Sequence, residues 1–221
     1  MIKFFCMEKR RNLIFDFDGT LVDSFLLENK SMVYAINRAG NLSIDEKNII
    51  SFYGPTEKGI IKKLVTEDKF NQAWEDFLSF YSKEAINYKP SDDMSKLLND
   101  LKDDGFPLYL VTGRGKETLD ISLKSSGIAD LFIDEYTGSD FGINKDVSVL
   151  KLIKDHDVSK EDLIYIGDTV EDIKTMSKID VDIISVGYYH DKKYQQKLRE
   201  LNEGKVARNI LELRKIIYLN L

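Results

Sequence analysis

An open α/β sheet with a helical segment inserted after its first strand is the architecture this sequence predicts, and three observations carry it. Short apolar runs recur along the chain, each is followed by a turn and a helical pattern, and residues 24–88 hold helical stripes with no strand-like run. Continuous apolar runs suit strands covered on both faces, as in parallel sheets. Strand–helix alternation then builds a Rossmann-like open parallel sheet. The expected division is an α/β core of residues 10–23 and 89–221, with a small all-helical domain of residues 24–88 inserted between the two pieces.

Taken in order, Leu13-Ile14-Phe15 is the first strand run. Phe25, Met32, Val33 and Ile36 then form one helical stripe, closed by Gly40. Ser43 followed by Glu46 has the spacing of a capping box, which predicts another helix start. Phe52 to Gly59 reads as a connection between helices, with Gly54 and Pro55 shaping a turn and Thr56 as N-cap. Phe70, Trp74, Phe77, Leu78, Tyr81, Ala85 and Tyr88 recur near every 3.6 residues, the stripe of a longer helix. Ser91 caps a helix carrying Leu97, Leu98 and Leu101, which stops at Gly105. Leu108 to Val111 is the second strand run, and Leu119 and Leu123 belong to a helix ended by Gly127. Further strand runs are Leu131 to Ile133, Leu163 to Ile166 and Ile183 to Val186.

The totals narrow the function. Hydrophobic residues make up 43% of the 221, enough for a packed core and too many for a disordered chain. The formal net charge of −6 disfavours binding to nucleic acid or an anionic membrane, since phosphate backbones need a basic footprint. A single cysteine, Cys6, rules out an intramolecular disulfide and fits a reducing compartment. No apolar run reaches the ~18 residues of a membrane span. The N-terminal stretch lacks the apolar length and cleavage site of a signal peptide, so a cytoplasmic location is expected. Met7 offers an alternative start, which would make residues 1–6 an extension.

The chemistry sits at strand ends. Asp16-Phe17-Asp18-Gly19-Thr20 directly follows the first strand run, and carboxylates two residues apart at a strand end point the same way. Paired anions share a metal or a proton, because otherwise they repel. Gly167-Asp168-Thr169-Val170-Glu171-Asp172 follows another strand run and supplies a second acidic pair. Acids at a helix N-terminus also complement the helix dipole, the blander role for this pair. Several carboxylates at adjacent strand ends make a hard oxygen site suited to Mg²⁺. Val111-Thr112-Gly113-Arg114 ends a third strand run, where a hydroxyl and free N–H groups favour an anion. Lys145 precedes the helix leading to the second acidic pair.

In that order these motifs resemble the haloacid dehalogenase-like phosphohydrolases. DFDGTLVDS, from Asp16 to Ser24, is similar to the family's first motif, VTGR to its second, Lys145 to the lysine of its third and GDTVED to its fourth. The helical insert resembles the cap of the subgroup holding phosphoglycolate phosphatase and β-phosphoglucomutase. Two departures stand out: Gly113 replaces a common asparagine, and no proline follows Lys145. The resemblance implies a Mg²⁺-dependent phosphatase in which Asp16 attacks phosphorus and forms an aspartyl-phosphate. It implies that Asp18 exchanges the proton and that Asp16, the Asp18 main-chain carbonyl and Asp168 hold the metal. Thr112, Gly113 and Lys145 would bind the phosphoryl oxygens, with Asp172 behind Lys145 or on a metal-bound water. Within the cap loop, Lys58 would pair with an anionic group on the substrate.

The expected partner is a small phosphorylated metabolite, and the expected assembly a monomer or weak homodimer. A phosphomutase of the β-phosphoglucomutase type shares every motif, and a catalytically silent binding protein on this scaffold is the alternative of another class. His156 and His190 read as surface residues, and Lys192, Lys193, Lys197 and Arg199 as a solvated helix face.

Overall fold

The computed structural model describes residues 11–40, 42–139 and 144–220; the expectations for Cys6, Met7 and the N-terminal stretch lie outside them. Six parallel strands form one sheet in the order β3-β2-β1-β4-β5-β6. They are β1 (Asn12–Phe15), β2 (Leu108–Val111), β3 (Asp134–Tyr136), β4 (Leu163–Gly167), β5 (Asp182–Val186) and β6 (Val206–Ala207). β1 lies at the centre, with Leu13 in register with Leu108 of β2 on one side and Ile164 of β4 on the other. The chain builds outward to β3, then crosses back past β1 to start β4. That reversal opens a crevice at the carboxyl ends of β1 and β4, where sheets of this kind bind ligands.

The central strands are wholly buried because both faces are covered. Leu13, Phe15, Leu108, Leu110, Ile164 and Ile166 face one cluster, closed by α4 (Asp92–Asp103), α5 (Lys116–Ser126) and α9 (Ile210–Leu219). Ile14, Tyr109, Val111, Leu163 and Tyr165 face the other, closed by α6 (Lys145–His156), α7 (Val170–Lys178) and α8 (Lys192–Leu201). Successive residues thus alternate between two cores, which is why the strand runs are continuously apolar. Ser91 caps α4 by accepting the Met94 N–H, and Gly127 closes α5 in the left-handed conformation.

Between β1 and β2 the chain folds into α1 (Phe25–Ala39), α2 (Glu57–Leu64) and α3 (Glu67–Glu84). These share a separate core of Met32, Ile36, Ile60, Trp74, Phe77 and Tyr81 among others. Trp74 and Phe77 stack at 5.0 Å between centroids.

Two expectations need correction, and one strand had no counterpart among them. The third strand is not Leu131 to Ile133: Ala129–Leu131 is a short 3₁₀ turn, Ile133 is exposed, and Asp134–Tyr136 pairs with β2 instead. As an edge strand β3 has one neighbour, so its polar composition is tolerated and its apolar signal is lost. Ser43 and Glu46 start no helix. Asp45 Oδ1 accepts the N–H groups of Lys47 and Asn48 at 2.9 and 2.8 Å, turning the chain into a 3₁₀ segment at Ile49–Phe52. β6, two residues long, gave no run in the sequence.

Candidate active site

Asp16 and Asp168 lie directly beyond β1 and β4, and Asp172 sits in the first turn of α7. All three are buried, and ligand oxygens from each lie within 4.8 Å of one another. Lys145, at the start of α6, donates to Asp16 Oδ2 and Asp172 Oδ1, both at 2.7 Å. Burial pushes the Asp16 carboxyl up to about 8, with Asp172 and Asp168 adding to the shift and Lys145 opposing it. A carboxylate cluster so crowded is short of positive charge.

Asp172 is held from its own helix end. Thr169 Oγ1 accepts the Asp172 N–H, while Asp172 Oδ2 accepts the Thr169 N–H at 3.0 Å, a reciprocal capping box. Its other oxygen receives Lys145 and, at 3.4 Å, the Tyr165 hydroxyl. Asp172 thus ties Lys145 to the start of α7. Asp16, Asp168 and Asp172 together offer hard oxygen donors of the kind that fit Mg²⁺.

Gly19 lets the loop after β1 come close against Asp168. Its φ is +70°, and a Cβ there would stand 2.2 Å from Asp168 Oδ2. Any side chain would push Asp168 out of the cluster.

Asp18 points elsewhere. Arg114 Nε donates to its Oδ1 and Oδ2 at 2.9 and 2.7 Å, and Ser24 Oγ donates to Oδ1. Burial opposes ionisation, yet the Arg114 guanidinium holds the Asp18 carboxyl below its ordinary range. Asp18 is therefore an anion here, the form that takes a proton from water. Arg114 is itself buried and also pairs with Glu28 of α1 at 2.7 Å. It donates to the hydroxyls of Tyr81 in α3 and Ser122 in α5 as well. The guanidinium thus joins the strand end to the inserted helices.

A cavity of about 210 Å³ opens above these groups. Asp16, Asp18, Asp168 and Lys145 form its floor, while Phe25, Met32, Tyr53, Pro55 and Ile60 close it from the helical segment. Gly113 lines it too. Thr112 is buried at the end of β2, accepts the Arg114 N–H at 3.3 Å, and is absent from the described lining.

Lys58 does not face this cavity. Its ammonium pairs with Glu117 at 3.0 Å and lies over the Trp74 ring, so the expectation of a substrate cation there is corrected. The neighbouring Glu57 turns inward instead, accepting the Gly115 N–H at 3.0 Å and the Thr118 hydroxyl at 2.7 Å at the start of α5. His190 is not a surface bystander either: its Nε2 lies 2.6 Å from Asp168 Oδ2. His156 lies on the outer side of the sheet against Tyr109 and Asp134.

Sequence reasoning passed over Arg114, Glu28 and His190. Glu28 did leave a trace, since it falls on the stripe of Phe25, Met32 and Ile36, where a carboxylate implies a buried partner. His190 left none, because its contact spans 22 residues with no local pattern.

The family model for haloacid dehalogenase-like hydrolases matches residues 13–186. A phosphoglycolate phosphatase from Aquifex aeolicus is 31% identical over 176 residues, covering 74% of this chain and 78% of its own. One from Vibrio parahaemolyticus is 22% identical over 93% of this chain and 95% of its own. Among solved structures, a haloacid dehalogenase-like family hydrolase from Streptococcus pneumoniae superposes with a TM-score of 0.70 at 24% identity, covering 92% and 96% of the two chains. None of the described helices is long and apolar enough to cross a membrane.

Proposed function

The chain belongs to the haloacid dehalogenase-like hydrolase family, and from that premise we propose that it is a Mg²⁺-dependent phosphatase acting on a small phosphate monoester through an aspartyl-phosphate on Asp16. The observation that carries this reading is the buried set of Asp16, Asp168 and Asp172 around the Lys145 ammonium, at the floor of the cavity. The relatives named phosphoglycolate phosphatase support a small phosphorylated metabolite as substrate.

Asp16 would attack phosphorus in line, forming an O–P bond as the ester oxygen leaves. Once released from Arg114, Asp18 would take up a proton from solvent and give it to that oxygen, then take one from the water that splits the aspartyl-phosphate and frees inorganic phosphate. The Lys145 ammonium would counter charge on the phosphoryl oxygens, with the Gly113 N–H and the Thr112 hydroxyl at the end of β2 as further donors. Asp172 would keep Lys145 aimed at Asp16. The Asp16 carboxylate, the Asp18 main-chain carbonyl and Asp168 would hold Mg²⁺. When bound, the metal would neutralise the repulsion between nucleophile and phosphate dianion and orient both. Residues 24–88 would act as a cap over a core of residues 10–23 and 89–221, excluding bulk water. A monomer or weak homodimer in the cytoplasm is the setting this reading expects.

The test is to quench a reaction with labelled ester in acid and map the label. Label on the peptide containing Asp16, and turnover lost by a factor of about 10³ or more in a folded Asp16→Asn variant, is the expected result. Label absent from that peptide, or turnover kept, overturns it. Isomerised sugar phosphate in place of free phosphate would identify a mutase.

A further inference from the structure

The cavity walls carry an imbalance of charge that bears on the substrate. Five carboxylates line it, those of Asp16, Asp18, Asp168, Glu28 and Glu57, against two cationic side chains, Arg114 and Lys145. Both cations are already engaged: Arg114 by Asp18 and Glu28, and Lys145 by Asp16 and Asp172. A divalent cation together with protonation of one acid would bring the walls to balance, but would leave no cation free for a second anionic group.

The side facing the leaving group is the most telling. Glu28 and Glu57, both from the helical segment and both with carboxyls raised by burial, are its acidic members. Beside the Thr56 hydroxyl, the other side chains there are apolar or phenolic: Phe25, Met32, Tyr53, Pro55 and Ile60. Lys58, the nearest lysine in sequence, is turned away toward Glu117. A second anionic group on the substrate would meet two carboxylates and a desolvating wall, with no cation among the described lining residues to receive it. Like charges brought together in a dry site disfavour a ligand steeply. The volume, about 210 Å³, is below the ~300–1,000 Å³ of drug-sized ligand sites, so the leaving group is also small.

From this we infer that the enzyme selects phosphate monoesters of small alcohols carrying no second anionic group, and discriminates against carboxylated esters such as phosphoglycolate. The inference rests on the phosphatase reading and refines it: the site hydrolyses ROPO₃²⁻ with water to ROH and inorganic phosphate, with R uncharged.

The experiment compares matched esters with saturating Mg²⁺: 2-phosphoglycolate against 2-hydroxyethyl phosphate, and 3-phosphoglycerate against glycerol 3-phosphate. The kcat/KM of each neutral member should exceed that of its carboxylated partner by roughly tenfold or more. Glu57→Gln, which removes one wall charge and keeps an acceptor for the Gly115 N–H, should narrow that ratio. Equal rates or a preference for the carboxylated esters overturns the inference while leaving the phosphatase reading intact. A ratio that Glu57→Gln leaves unmoved overturns wall charge as its source. No hydrolysis of any member, or of p-nitrophenyl phosphate, overturns both readings together.

Discussion

At the scale of single residues, the site separates into groups legible from the chain and groups that only folding brings in. Asp16, Asp168, Asp172 and Lys145 were legible because each stands at the end of an apolar run or the start of a helix, where topology forces convergence. His190 was not, because its 2.6 Å contact with Asp168 depends on where the loop after β5 returns. That contact makes a prediction. Partners that orient a ligating carboxylate typically contribute 10–100-fold to metal affinity. His190→Ala should therefore weaken Mg²⁺ binding by roughly tenfold, read by titrating the metal against thermal stability as well as against turnover. Activity at saturating Mg²⁺ should largely recover. Unchanged affinity, or a loss that no amount of Mg²⁺ restores, would count against His190 as a positioning residue for Asp168.

Among elements, legibility followed how many faces each one buries. β1, β2 and β4 are covered on both sides and announce themselves as apolar runs, whereas β3 at the edge is polar and was placed three residues early. Capping was read correctly at Ser91 and Thr56, where the residue precedes a true helix. It misled at Ser43, where Asp45 takes over the turn. Helix α2 of the inserted segment carries a consequence of its own, since its first residue, Glu57, is docked on the start of α5. Burial raises the Glu57 carboxyl above its ordinary range, although Arg114 and the Gly115 N–H oppose the shift. A raised value means the folded state favours the protonated form. The contribution to stability is then complete below the unfolded-state value and is lost as pH rises through the folded one. The thermal midpoint of the wild type should accordingly fall relative to that of Glu57→Gln as pH climbs from about 4 past the ordinary glutamate value of ~4.3. A gap between the two that widens in favour of the wild type over that range would mean that docking lowers the Glu57 carboxyl instead of raising it.

For the molecule as a whole, the question is what holds the helical segment against the sheet. Its core is a single small cluster, and segments of this size bury too little surface to be comfortably stable alone. Docking therefore matters, and Arg114 is its centre. One guanidinium reaches Asp18 beyond β1, Glu28 on α1, Tyr81 on α3 and Ser122 on α5. Arg114→Met keeps much of the volume and the packing over Phe17, but leaves the partly buried Asp18 and the buried Glu28 without their cation. Breaking a buried pair in this way costs about 3–5 kcal/mol. The loss should be unevenly spread. β1, β2 and β4 keep both of their covering layers, so their amides should retain protection from hydrogen exchange. Those of α1 and α3 should exchange faster, because their docking has lost its ionic centre. Adding Glu28→Gln removes one of the stranded charges and should return part of the lost protection, a coupling that independent sites would not show. Mass-spectrometric exchange on the single and double variants reads both effects at once. A uniform rise across sheet and helices would mean that Arg114 supports the whole fold. No rise in α1 and α3 would mean that apolar contacts alone dock them.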